Sequence, residues 1–139
     1  MSYLLDTNVV SEPERKQPDR NVLEWLDSVD YRNVYLSALT VGEIKKGVAK
    51  LASGKRKAHI QNWLEDVRGH FAGRILPMTE NTFLVWGQMY GALEKQGIVC
   101  PILDSLFEAS ALEHDLILVT RNFRNFQHSS VTILNPWED

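Results

Sequence analysis

Tyr3-Leu4-Leu5-Asp6-Thr7-Asn8 places a three-residue apolar run directly before an acid and two further polar residues. The run is strand-length, and Asp6 is suited to cap a short helix beginning near Thr7. The same punctuation recurs along the chain. Val34 to Leu36, Arg74 to Leu76, Leu116 to Val119 and Val131 to Leu134 are further strand-length runs, and helical spacing fills most of the intervals. Val22, Leu23, Trp25, Leu26 and Val29 share one helix face, with Asp19 as the cap. Val41, Ile44, Val48 and Leu51 mark a second helix, for which Gly54 is the expected C-terminal cap. Ile60, Trp63, Leu64, Val67 and Phe71 mark a third; Phe83, Trp86, Met89, Tyr90 and Leu93 mark a fourth, with Thr79 before it and Gly97 after it. A fifth runs from about Leu103 to His114. The apolar and aromatic stripes, Phe83 and Leu103 included, are expected to be core. Strands alternating with helices require crossover connections, which predicts an α/β fold with a mostly parallel sheet flanked by helices.

At 139 residues, with 44% hydrophobic and 24% charged residues, the expectation is a single domain spanning 1–139 with an ordinary globular core. Cys100 is the only cysteine, which excludes an intrachain disulfide and a cysteine-cluster zinc site and fits a reducing cytoplasm. The longest apolar runs have four residues, far short of the roughly 18 a membrane helix needs. The first residues lack the basic region of a secretory signal, so none is expected. Net charge is −3, which is no general nucleic-acid footprint. The cations are nevertheless uneven: six of 15 lie between Lys45 and Lys57, and no acid occurs from Ile44 to Leu64. This segment reads either as a solvated helix face or as a phosphate-contacting patch of Lys50, Lys55, Arg56 and Lys57.

In parallel sheets, sites gather beyond the carboxyl ends of the strands. Asp6 and the polar loop Thr120-Arg121-Asn122-Phe123-Arg124-Asn125 follow two strands, while Glu43 and Asp104 begin helices over the same edge. Each acid also has an ordinary structural use. Asp6 can cap a helix, Thr40-Val41-Gly42-Glu43 spells a capping box, Asp104 sits at a capping position, and Glu108 extends an acidic helix face that is expected to be exposed. Together, three converging carboxylates would repel one another, a conflict that a hard divalent cation removes. An oxygen-only ligand set points to Mg²⁺ or Mn²⁺. His59, His70, His114 and His128 lack ligand spacing, and neither a phosphate-binding glycine loop nor a Gly-x-Ser-x-Gly elbow is present. Metal-assisted hydrolysis of a phosphate ester is the chemistry that remains.

The ordered set Leu4 to Glu12, Leu36 to Ile44, Pro101 with Asp104, Leu118 to Asn122 and Leu134 to Trp137 resembles the PIN-domain ribonucleases, and within them the VapC and FitB toxins of bacterial toxin-antitoxin pairs. That resemblance implies a Mg²⁺-dependent endoribonuclease with an RNA substrate, a homodimer and a small cognate antitoxin. It assigns Asp6, Glu43 and Asp104 as the catalytic acids, with Asp6 and Asp104 as metal ligands and Glu43 binding directly or through water. Thr7, Asn8, Thr120 and Asn122 would surround them. Many relatives carry a fourth acid at the position of Asn122 or Asn125, and here both are amides. Glu108, one turn beyond Asp104, is the candidate auxiliary acid. The competing readings are a catalytically weakened PIN-fold binding module and another Mg²⁺-dependent phosphohydrolase. Asp6 lacks the second acid of the haloacid-dehalogenase motif and the preceding acidic pair of a receiver domain.

Overall fold

The computed structural model describes residues 1–126 and 128–138. Its centre is a five-stranded sheet in the order β3-β2-β1-β4-β5, formed by β1 (Tyr3–Leu5), β2 (Val34–Ser37), β3 (Ile75–Leu76), β4 (Ile117–Val119) and β5 (Ile133–Leu134). Every pairing is parallel; Tyr3 lies opposite Val34 on one side and Ile117 on the other. Six helices connect the strands: α1 (Thr7–Ser11), α2 (Arg20–Ser28), α3 (Ala38–Lys50), α4 (Lys55–His70), α5 (Glu80–Lys95) and α6 (Ile102–Glu113).

The period of two within each strand divides the core. Leu5 and Val119 face a cluster with Val9, Val22, Leu36, Ile44 and Leu64, on the side covered by α1 to α4. Their neighbours Leu4 and Leu118 face the opposite cluster with Phe107, Ala111 and Phe126. Both faces are therefore dry, as short continuous apolar strands require. Each fully buried Leu contributes about 1.5–3 kcal/mol, so a polar residue at Leu4, Leu36 or Leu118 would remove a large share of the fold's margin.

The chain runs outward from β1 to β2 and β3, then returns to place β4 and β5 on the other side. This reversal opens a crevice at the carboxyl ends of β1 and β4, where Asp6 and Thr120 stand.

Several local expectations change. Gly54 does not cap α3, which ends at Lys50 with Leu51 as its C-cap; with φ 153° it forms the N-terminal boundary of α4. That backbone conformation suits a residue without Cβ. Gly97, with φ 75°, follows α5 as expected, and Thr79 caps it through a reciprocal pair with Thr82. Phe83 and Leu103 are 48% and 45% exposed rather than core. Helices α5 and α6 pack on each other, and Phe83, Leu84, Ile102 and Leu103 on them stay exposed.

Candidate active site

Asp6 ends β1 and caps α1, accepting a hydrogen bond at Oδ1 from the Thr7 backbone N–H at 2.7 Å. Its Oδ2 accepts one from the Thr120 hydroxyl, also at 2.7 Å. The ends of the two central strands are thus joined through one carboxylate that is 5% exposed. Burial raises the Asp6 pKa above the ordinary carboxylate value. The two hydrogen bonds oppose that rise, while the negative charges of Asp104 and Glu43 add to it.

Glu43 lies in the second turn of α3, whose cap is Ser37: its hydroxyl accepts from the Leu39 N–H and donates to the Met78 sulfur. The expected Thr40–Glu43 capping box is therefore absent. The Glu43 Oε1 instead accepts the hydrogen bond of the Thr7 hydroxyl. Thr7 also lies 3.1 Å from the Thr40 hydroxyl. The Thr7 hydroxyl is within donating reach of both Glu43 Oε1 and Thr40 Oγ1, and its single proton serves one of them at a time. Residues read as capping partners thus form a chain from buried Thr40 to the crevice.

Asp104 occupies the third position of α6, and Pro101, which offers no side-chain cap, stands at its boundary. The Asn125 amide donates to Asp104 Oδ2 at 2.7 Å. Burial raises the Asp104 pKa, and this bond opposes the rise. Glu108 corrects the expectation of an exposed acidic face: it is 4% exposed, and burial pushes its pKa up against an opposing contact with Ser129. Asn122 is exposed, and its backbone N–H donates to the Thr120 hydroxyl at 3.0 Å.

Among the described residues, no three His, Cys, Asp or Glu side chains stand close enough together to hold a metal ion as they are placed. The acids instead form an open set of hard oxygen donors around Asp6, close enough for Asp104 and Glu43 to raise its proton affinity. That donor set fits a small divalent cation which keeps several of its own waters. Asn8, two residues beyond Asp6, keeps a buried Oδ1 without a hydrogen-bond partner among the described residues. This is a further oxygen of the required kind.

Of the basic segment, Lys50, Lys55 and Arg56 are exposed and Lys57 is half-buried. Arg56 lines a groove together with Thr7 and Glu43. The sequence reading missed that Arg15 and Lys16 line the same groove, and that Glu12 is buried beneath them. The signal available was an acid, Glu12, followed by a cation three residues later in a short polar turn.

The chain belongs to the PIN-domain family, whose model matches residues 3–130. It is 42% identical over 137 residues to Toxin FitB of Neisseria gonorrhoeae, covering 98% of this chain and 99% of that protein. It is 37% identical over 136 residues to the VapC ribonuclease Y4jK of Sinorhizobium fredii, covering 97% of each. A crystal structure of FitAcB from Neisseria gonorrhoeae superposes with a TM-score of 0.93 at 40% identity, covering 99% of each chain. Solved structures sharing the fold include toxin-antitoxin complexes, some of them DNA-bound.

Proposed function

We propose that this chain is the ribonuclease toxin of a toxin-antitoxin pair and hydrolyses RNA phosphodiesters at Asp6, Glu43 and Asp104. The observation that carries the reading is the buried Asp6 carboxylate at the strand reversal, flanked by the charges of Asp104 and Glu43. Asp6 and Asp104 would hold Mg²⁺ or Mn²⁺, with Glu43 reaching it directly or through water. The cation would polarise a phosphate oxygen and favour deprotonation of water. The protein's own part is alignment. Thr120 and the Thr7 N–H hold Asp6, Asn125 holds Asp104, and the Thr7 hydroxyl holds Glu43 by Oε1. Glu43 Oε2 is left to accept a proton from the attacking water.

Lys50, Lys55, Arg56 and Lys57 supply phosphate contacts in this reading. The first turn of α4 carries cations and no acid, an arrangement that the helix dipole disfavours and a bound polyanion would reward. A homodimer is supported by exposed Phe83, Leu84, Val99, Ile102 and Leu103 along α5, α6 and their connection. The family's toxin-antitoxin assemblies support a small antitoxin partner. A single nuclease unit over residues 1–139 in the cytoplasm completes the reading.

RNA cleavage with and without chelator, with free phosphate release monitored, tests it. Chelator-sensitive cutting without free phosphate is expected. Phosphate release would favour a phosphohydrolase, and RNA binding without cutting would favour a binding module, which the amides at Asn122 and Asn125 otherwise suggest.

A further inference from the structure

A groove of about 880 Å³ lies between the turn after α1 and the helices α3 and α4, and Thr7 and Glu43 form part of its wall. It is therefore continuous with the acidic crevice. Arg15 and Lys16 line it from the turn, while Arg56, Ile60 and Trp63 line it from α4. Beneath the turn, Glu12 is 2% exposed and both its oxygens are engaged: Oε2 accepts from the Asp19 N–H at 2.8 Å, and Oε1 from Arg15 Nη1 at 3.2 Å. The Arg15 side chain is 59% exposed, so Glu12 anchors one N–H and leaves the other guanidinium donors available. Glu14, the acid of the same turn, is bonded to His59 of α4 at 3.0 Å, which ties the two walls together.

We propose that this groove is the path along which single-stranded RNA reaches Glu43 and Asp6. Arg15 and Arg56 hold backbone phosphates from opposite walls, Trp63 offers a base its aromatic face, and Glu12 is the positioning residue for Arg15. The inference rests on the ribonuclease reading and assigns that site its substrate path. Cations on both walls beside an aromatic side chain match a strand of repeating phosphates and bases.

A fluorescein-labelled, mixed-sequence oligoribonucleotide serves as the probe. Its binding is measured in chelator across salt concentrations, and its cleavage in Mg²⁺. Replacing both Arg15 and Arg56 by Gln should flatten the slope of log K against log salt by about 1.4, since each phosphate contact on a single strand contributes about 0.7. KM should rise about tenfold or more with a much smaller change in kcat. Arg15→Lys should recover the slope. Glu12→Gln should weaken binding in the wild type but add little in the Arg15→Gln background. Trp63→Leu, which keeps an apolar side chain against the core, should weaken RNA binding without changing the slope.

An unchanged slope in the double variant, with its thermal melt intact, overturns the proposal. So does intact RNA binding accompanied by loss of the cognate protein partner, which would give the groove to a polypeptide. Wild-type protein that cuts RNA while the slope stays fixed refutes the groove alone. Wild-type protein that binds with the expected slope but does not cut refutes the ribonuclease reading alone.

Discussion

The Asn125 amide donates to Asp104 Oδ2 at 2.7 Å, tying the loop after β4 to the first turn of α6. An amide in the loop after β4 therefore holds the Asp104 carboxylate in place. The bond favours the charged form of Asp104 against the burial that disfavours it. Partners of this kind typically govern ten- to a hundredfold in metal affinity, so Asn125→Ala should weaken Mg²⁺ binding by about tenfold. Calorimetric titration checks this, and equal affinities would reduce the bond to a loop tether. Asn125→Asp should instead set two carboxylates against each other and make the melting temperature at neutral pH more dependent on Mg²⁺.

Thr7→Val removes the hydroxyl between Thr40 and Glu43 while keeping the side chain's shape. Thr40 is fully buried and would lose its hydroxyl partner, at a cost of about 1–3 kcal/mol in stability. Glu43 would lose the donor that fixes Oε1, and cleavage should fall about ten- to a hundredfold. Thr7→Ser should retain most activity because the donor remains. Comparable losses in Ser and Val variants would show that packing, not the proton, matters.

Metal-free stability should depend on pH in the direction opposite to ordinary acid denaturation over part of the range. Asp6, Asp104 and Glu108 all have pKa values raised in the fold by burial. A carboxyl whose folded pKa exceeds its unfolded value contributes stability that is full below the unfolded value and is lost as pH rises through the folded one. In chelator, the melting temperature should therefore fall as pH rises above the ordinary carboxylate range, and Mg²⁺ should restore it most at the upper end. Asp6→Asn should weaken both effects: its amide can still accept from the Thr7 N–H but carries no charge. A melting temperature that rises steadily with pH in chelator would contradict this account.

Sequence periodicity was sufficient for the sheet because each strand's alternate residues are apolar on both faces. Leu4 and Leu5 enter opposite clusters, as do Leu118 and Val119. The acids Asp6, Glu43 and Asp104 were legible because strand ends and helix starts place them at one edge. Their partners were not. Thr7 and Glu43 are 36 residues apart, and Asp6 and Thr120 are 114 apart, so local capping rules offered nearer but incorrect partners for Glu43. Arg15 escaped notice because its anchor, Glu12, owes its burial to long-range packing rather than to any local pattern. The exposure of Phe83 and Leu103 has the same origin: an apolar stripe specifies a face to be covered, but a single chain need not supply the cover.

Glu108 offers the sharpest test of how the site manages without an acid at Asn122 or Asn125. An exposed glutamate on a helix would need no explanation, but this one is buried four residues beyond Asp104, and its burial disfavours the charged form. The Ser129 contact opposes only part of that cost, since burial still leaves the pKa raised. A cation shared with Asp104 would supply the compensation. Glu108→Gln keeps the size and a polar contact for Ser129 while removing the charge. It should raise the metal-free melting temperature at about pH 8, weaken Mg²⁺ binding, and slow cleavage most when Mg²⁺ is scarce. Asn122→Asp, by adding charge in the loop after β4, should tighten Mg²⁺ binding and offset the loss in the double variant. If Glu108→Gln raises stability but leaves the Mg²⁺ requirement untouched, the residue is a buried structural acid, and the site works with Asp6, Glu43 and Asp104 alone.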